Sequence, residues 1–221
     1  STGSHGTGVN APNGAGTRFV WLPRASAIRA GAASGTAWDN VNIGDYSAAF
    51  GRETRASGQY SFVAGNDNRA TGTGSVAFGE LTTADGNHSV GMGNQTQANG
   101  DNAFSAGFET SANGLSSTAL GDGSLAGGIA ATALGSNTTA NGNFSTALGQ
   151  GITVDGTNSF GIALNNSTAT LAQNNTLAIM GGSVGIGTTS PAIALEVEGE
   201  LRVGSAGTNA PTAGAGALRW D

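Results

Sequence analysis

The sequence predicts an all-β protein, a flattened β-solenoid made of fourteen-residue coils with short flanking β segments. Three observations carry that reading. A glycine stands at every seventh position from Gly44 to Gly156, without a miss. Every second interval holds a short apolar run, such as SAAFG at 47–51, SVAFG at 75–79 and STALG at 117–121, while the others end in Ala-x-Gly, as in Ala56-Ser57-Gly58 and Ala98-Asn99-Gly100. Within each run, small and large side chains alternate with the two-residue period of a strand. Self-similarity at a fixed period marks a repeat architecture and outranks any local propensity.

A heptad spacing also invites a coiled coil, but heptads need apolar a and d residues on good helix formers. Here the invariant residue is glycine, which costs roughly 1 kcal/mol at each helix-interior position. The strand reading stands. In SVAFG, Ser75, Ala77 and Gly79 share one face while Val76 and Phe78 share the other. The small face suits the inside of a very thin coil, and two short strands with two tight turns close it. Large apolar side chains then have nowhere to go but outward. Phe50, Phe78, Met92, Leu120, Leu134, Leu148 and Ile162 line up in one stripe, and an exposed stripe of that length marks an interface. The Ala-x-Gly glycines, Gly100 and Gly142 among them, are expected at the turns, many with positive φ. Coils should stack at about 4.8 Å, giving a rod roughly 40 Å long.

Three segments follow in chain order. Residues 1–43 combine a glycine-rich leader with an N-terminal β cap, in which Phe19, Trp21 and Ile28 alternate around a bend at Pro23. Trp21 and Trp38 lie beside the open end of the solenoid, where terminal repeats need covering. Residues 44–165 hold the repeats. Residues 166–221 form a C-terminal β neck or stalk segment. Asn165 to Asn175 reads as a polar loop leading into it, and Thr176 to Gly187 as a strand pair around Gly181-Gly182. Ala194 to Val203 reads as a strand with one wet face, residues 204–216 as a linker, and ALRW at 217–220 as the start of a further element.

The composition excludes several chemistries. No lysine and no cysteine occur, which removes P-loops, Schiff bases, Ser-Lys dyads, cysteine nucleophiles and cysteine-based zinc sites. Net charge is −6 and the eight arginines are dispersed, so nucleic-acid binding is not expected. No apolar run reaches membrane-spanning length, so no membrane insertion is expected within this chain. The sequence opens at Ser1 rather than Met, as a processed chain or a fragment would. His88 beside Ser89 does not make a nucleophile and base, because strand neighbours point to opposite faces. Glu53 and Glu80 do not recur in register as a pair of acids should. The column Thr54, Thr82, Thr96, Thr110 and Thr138 resembles an ice-binding file, yet Asn68, Ser124 and Ile152 interrupt it. No catalytic site, metal site or cofactor is expected, and the protein reads as a non-enzyme.

The unit S-x-A-x-G-x-x-T-x-A-x-G resembles the head repeat of trimeric autotransporter adhesins, the YadA-like head. The resemblance covers residues 44–163 and implies a left-handed parallel β-roll. It also implies an intertwined homotrimer in which three chains pack through the apolar stripe, and a role in attachment. The flanks TRFVWLPRASAIRAG and NNTLAIMGGSVGIGTTSPAIALEVEGELRVG resemble segments of tail-fibre proteins from phages and phage-like injection systems. In those proteins they precede an endosialidase-type intramolecular chaperone. Together the resemblances imply a non-enzymatic attachment fibre, a tail-fibre shaft or head that meets a cell-surface glycan or protein receptor. Its place would be extracellular, on a virion or injection-system tail. The alternatives are the head of an adhesin on a bacterial cell surface and a purely structural spacer.

Overall fold

A computed structural model describes residues 3–8, 13–165 and 168–199. The expected C-terminal linker, the ALRW element and the last residues of the wet-faced strand lie outside the described residues. No helix among the described residues is long and apolar enough to cross a membrane.

The chain divides into two compact units, the first closing at Gly182. That first unit is a parallel β-solenoid. Each coil contributes one five-residue strand, such as Phe62–Asn66 or Val76–Glu80, and one two-residue strand, such as Arg69–Ala70. The longer strands stack into a 12-stranded sheet and the shorter ones into a 9-stranded sheet. Neighbouring strands pair in parallel with like on like, Ala64 beside Phe78 and Gly65 beside Gly79. The repeat length therefore sets the register, and a slip would turn every side chain to the wrong face.

The interior is almost without large side chains. Within one coil Ser47, Ala49, Thr54 and Ala56 point inward and are buried, and the next coils repeat this pattern. In the first coils the serine hydroxyls donate to the glycine carbonyl three residues back, as Ser61 to Gly58 and Ser75 to Gly72 at 2.7 Å. Thr54, Thr82, Thr96, Thr110 and Thr138, the column compared with an ice-binding file, are fully buried. Thr96 bonds Thr82 at 3.1 Å and Thr138 bonds Ser124 at 2.9 Å inside the coil. No ice-binding array exists there. Asn68 belongs to the same inner column, its amide donating to Ala64 and Gly79 carbonyls.

The glycines do a different job from the one expected. Gly100 and Gly142 sit at bends, but neither has positive φ. A Cβ on Gly100 would stand 2.0 Å from the carbonyl oxygen of Gly114 in the next coil, and one on Gly142 2.2 Å from that of Gly156. Close approach of stacked backbones, not backbone handedness, excludes a side chain. Positive φ belongs instead to the strand-half glycines, such as Gly107 at 131°, and to corner residues that carry side chains, such as Leu81, His88 and Ala130. An L-residue held there costs about 1–2 kcal/mol. Ala130→Gly should thus raise stability by roughly 0.5–1 kcal/mol once glycine's own entropy cost is set against the relief. Denaturant unfolding of the two proteins checks it.

The N-terminal end is closed by specific hydrogen bonds. Gly16–Leu22 pairs antiparallel with Ala27–Ala33, which then opens the parallel stack against Ala48–Arg52. In mid-stack the short-strand carbonyls accept from the preceding coil: Asn68 from the Arg55 N–H, and Ala70 from those of Ser57 and Gly58. Arg55–Ala56 is the edge of its sheet; Ala56 keeps a backbone donor in the Gly44 N–H at 2.9 Å, but the remaining acceptors there need other donors. Buried Trp38 donates its indole N–H to Thr54 at 2.8 Å, and Arg29 donates to Ala56 at 2.9 Å and to the Ser47 hydroxyl at 2.8 Å. Arg29 lies in the inner column beside Ala49, and burial pushes its guanidinium down to about 10. Side chains thus stand in for the coil that is missing. Trp38→Phe keeps much of the ring but orphans the Thr54 carbonyl, at a cost of about 1–3 kcal/mol, measurable as an earlier denaturation midpoint. Trp21, expected to share this cap, is instead 45 % exposed on the outer face.

At the other end the stack outlasts the fourteen-residue period. Thr170–Leu171, inside the stretch read as a loop, pairs with Thr153–Val154, and Leu177–Met180 pairs with Phe160–Ala163, both in parallel. Val154 lies beside Leu171 and Phe160 beside Leu177, so this coil has grown to seventeen residues. The expected strand pair around Gly181-Gly182 is not formed. Leu177–Met180 completes the solenoid, whereas Val184–Ile186 pairs in parallel with Leu195–Val197 in the second unit. Four apolar residues in register with the column above decided the pairing over the local turn signal.

Candidate functional site

The outer face of the long strands is the most distinctive surface. Lateral pairing places Phe50, Ala64, Phe78, Met92, Ala106, Leu120, Leu134, Leu148 and Ile162 in one unbroken column, which Ile179 extends. Phe78 is 52 % exposed and Met92 and Leu134 are 41 % exposed, while Phe50, Leu120, Leu148 and Ile162 are half-buried by their neighbours. A second column, two residues earlier, runs beside it through Phe62, Val76, Val90, Phe104 and Phe160. The Phe50 and Phe62 rings meet at 5.9 Å between centroids. Phe19 and Trp21 carry both columns onto the cap through Ala30 and Ile28. Their apolar-polar alternation was visible, but not the antiparallel register that sets them on this face.

The remaining surface is polar and laddered. Asn141 bonds Asp155 at 2.9 Å, Asn99 bonds Asn113 at 2.8 Å, and the Asn87 and Asn143 side chains accept backbone N–H bonds from the coil before. His5, Tyr46 and Tyr60 stack ring on ring at 4.8 and 5.2 Å. These ladders consume polar groups in structure.

The residues that might have suggested catalysis are not assembled for it. Ser89 is buried and spends its hydroxyl on the Gly86 carbonyl, away from the exposed corner where His88 sits. Glu53 accepts from Ser34, whose side-chain and backbone hydrogen bonds hold its carboxyl below the usual range. Glu80 lies in a different column and accepts the amides of Asn66 and Asn94. Among the described residues no three of His, Cys, Asp or Glu gather into a metal-binding group.

A parallel solenoid with a small-residue interior and one apolar outer face defines a repeat protein whose surface is its working part. Residues 43–68, 70–96, 84–110, 98–124 and 126–151 match the YadA head domain repeat (2 copies). The repeats of the solenoid are thus similar to YadA head repeats over much of residues 43–151. No curated protein matches the chain.

Proposed function

We propose that the chain is one third of a non-enzymatic, homotrimeric attachment fibre. Three left-handed solenoids pack through the column Phe50, Phe78, Met92, Leu120, Leu134, Leu148 and Ile162, and the outer columns face a receptor outside the cell. The single observation that supports this best is that column. The solenoid spends alanine and serine on its own interior and leaves its largest apolar side chains outside, in register from coil to coil. Each such side chain buried between chains contributes roughly 1.5–3 kcal/mol. A lone coil, burying four small side chains, has no comparable source of stability.

The match to YadA head repeats favours an adhesin-type head on a bacterial surface. The resemblance of the flanks to phage and injection-system tail fibres supports a second setting, a fibre on a virion or injection-system tail, and both settings use the same rod. The receptor is a glycan or protein of a cell surface. Binding of the intact trimer to whole cells and to a glycan array tests attachment. Binding that survives Phe-column-neutral changes such as His88→Ala, and saturates, supports it. A folded trimer that binds no cell, glycan or matrix protein leaves the rod as a spacer.

A further inference from the structure

Between its long and short strands each coil turns a corner. Over the first coils these corners border a shallow, open cleft of about 280 Å³, close to the lower end of ligand pockets at ~300 Å³. One wall carries Glu53, Asp67 and Leu81, corner residues held at positive φ. The other carries Arg55 and Arg69, outward residues of adjacent short strands paired side by side. Asn68 lies between the walls with its amide group fully used on the backbone.

Opposite charges thus face one cleft without closing on each other. Arg69 pairs with Asp85 on the next coil. Among the described residues Arg55 and Asp67 form no ion pair. Two charges that share a cleft and remain hydrated can be met together by a ligand bearing an anion and several hydroxyls. A guanidinium fork takes a carboxylate by paired hydrogen bonds, carboxylates accept from hydroxyls, and Leu81, 45 % exposed, offers an apolar contact for a ring face. The charge pattern of the chain points to the same end. Residues 18–69 hold six arginines, one of them the buried Arg29, against four acidic residues, whereas residues 70–199 hold eight acidic residues and no arginine. An anionic ligand is attracted to this end and repelled from the rest.

We propose that this cleft binds an acidic saccharide unit, its carboxylate on Arg55 and its ring hydroxyls on Asp67. The site deepens the attachment reading and takes its biological meaning from it. The test is calorimetric titration of the full chain with a glucuronate-containing oligosaccharide, against a neutral glucose oligosaccharide of equal length. The acidic probe should bind at least about tenfold more tightly, and Arg55→Gln and Asp67→Asn should each weaken it about tenfold, the scale of one charge-assisted hydrogen bond. Arg24→Gln, an exposed arginine outside the cleft, should change nothing. Equal affinity for both probes, no binding of either, or indifference to Arg55→Gln overturns the site. Sedimentation and cell binding on the same samples separate the two claims. Cells bound equally well by wild type and Arg55→Gln retain attachment and remove this cleft from it. Saccharide binding without cell binding does the reverse.

Discussion

Phe78→Asp should leave the chain unable to form the proposed trimer. Phe78 is flanked along its column by small Ala64 on one side and Met92 on the other, and half of the ring still meets solvent in the single chain. In the proposed assembly the ring is covered by the other chains. Substitution removes roughly 1.5–3 kcal/mol of burial per chain and places an unpaired carboxylate in an apolar seam, a cost of several kcal/mol more per charge. Both penalties occur three times in each trimer. Sedimentation should show the variant as monomer or aggregate at concentrations where the parent is trimeric. Tyr60→Ala and His88→Ala, at exposed corners outside the column, should sediment as the parent does. A trimeric Phe78→Asp protein would remove the column from the interface.

Gly100→Ala should be nearly as damaging, for a reason internal to one chain. The added Cβ would stand 2.0 Å from the Gly114 carbonyl oxygen and 2.5 Å from its carbon, and both are backbone atoms locked into the next coil. Relief requires the two coils to part, and the Asn99 and Gly100 N–H bonds to Ala112 at 2.9 and 3.2 Å weaken with them. Overpacking costs about 1–3 kcal/mol and each lost hydrogen bond about 1 kcal/mol, so a loss near 3 kcal/mol or more is expected in denaturant unfolding. Gly123→Ala is the contrast. Its Cβ would meet the Asn137 side-chain amide, which can rotate away, leaving only the about 1–2 kcal/mol of an L-residue at positive φ. Equal losses at the two glycines would show that coil-to-coil contact is not what excludes the side chain.

The legible parts of the sequence were those where one physical constraint repeats. Stacked backbones tolerate no Cβ at the coil junctions, so glycine recurs every seventh residue, and the coil length followed directly. Alternation within SVAFG likewise identified Ala77 as inner and Phe78 as outer. Alternation failed where the coil turns. Thr54 and Ala56 both point inward because the corner at Glu53 interrupts the strand pattern, so alternation counted from the long strand does not show that the threonine column is internal. Arg29 shows another limit. Composition counts it among dispersed cations, but its register beside Ala49 puts it inside the coil, where the edge of a sheet lacks donors. The register of Leu177 to Met180 with Phe160 to Ala163 was hidden by three inserted residues. Ala163, the first side chain in the strand-half glycine column, marks the place: it is absent from the positive-φ residues, and the coil after it lengthens.

The cleft at Arg55 and Asp67 was not readable beforehand. Residues twelve apart in sequence approach one another only once the fourteen-residue coil is known, and nothing in the local composition distinguishes them from surface charges elsewhere.

The central claim is that the outer apolar column is an interface among three copies. Native mass measurement of the intact chain, with sedimentation across a range of concentrations, tests it most directly. A single species of three times the 21.5 kDa chain mass is expected, losing its β structure as it dissociates. A well-folded monomer of 21.5 kDa, stable on dilution with Phe78 and Met92 open to solvent, would contradict it.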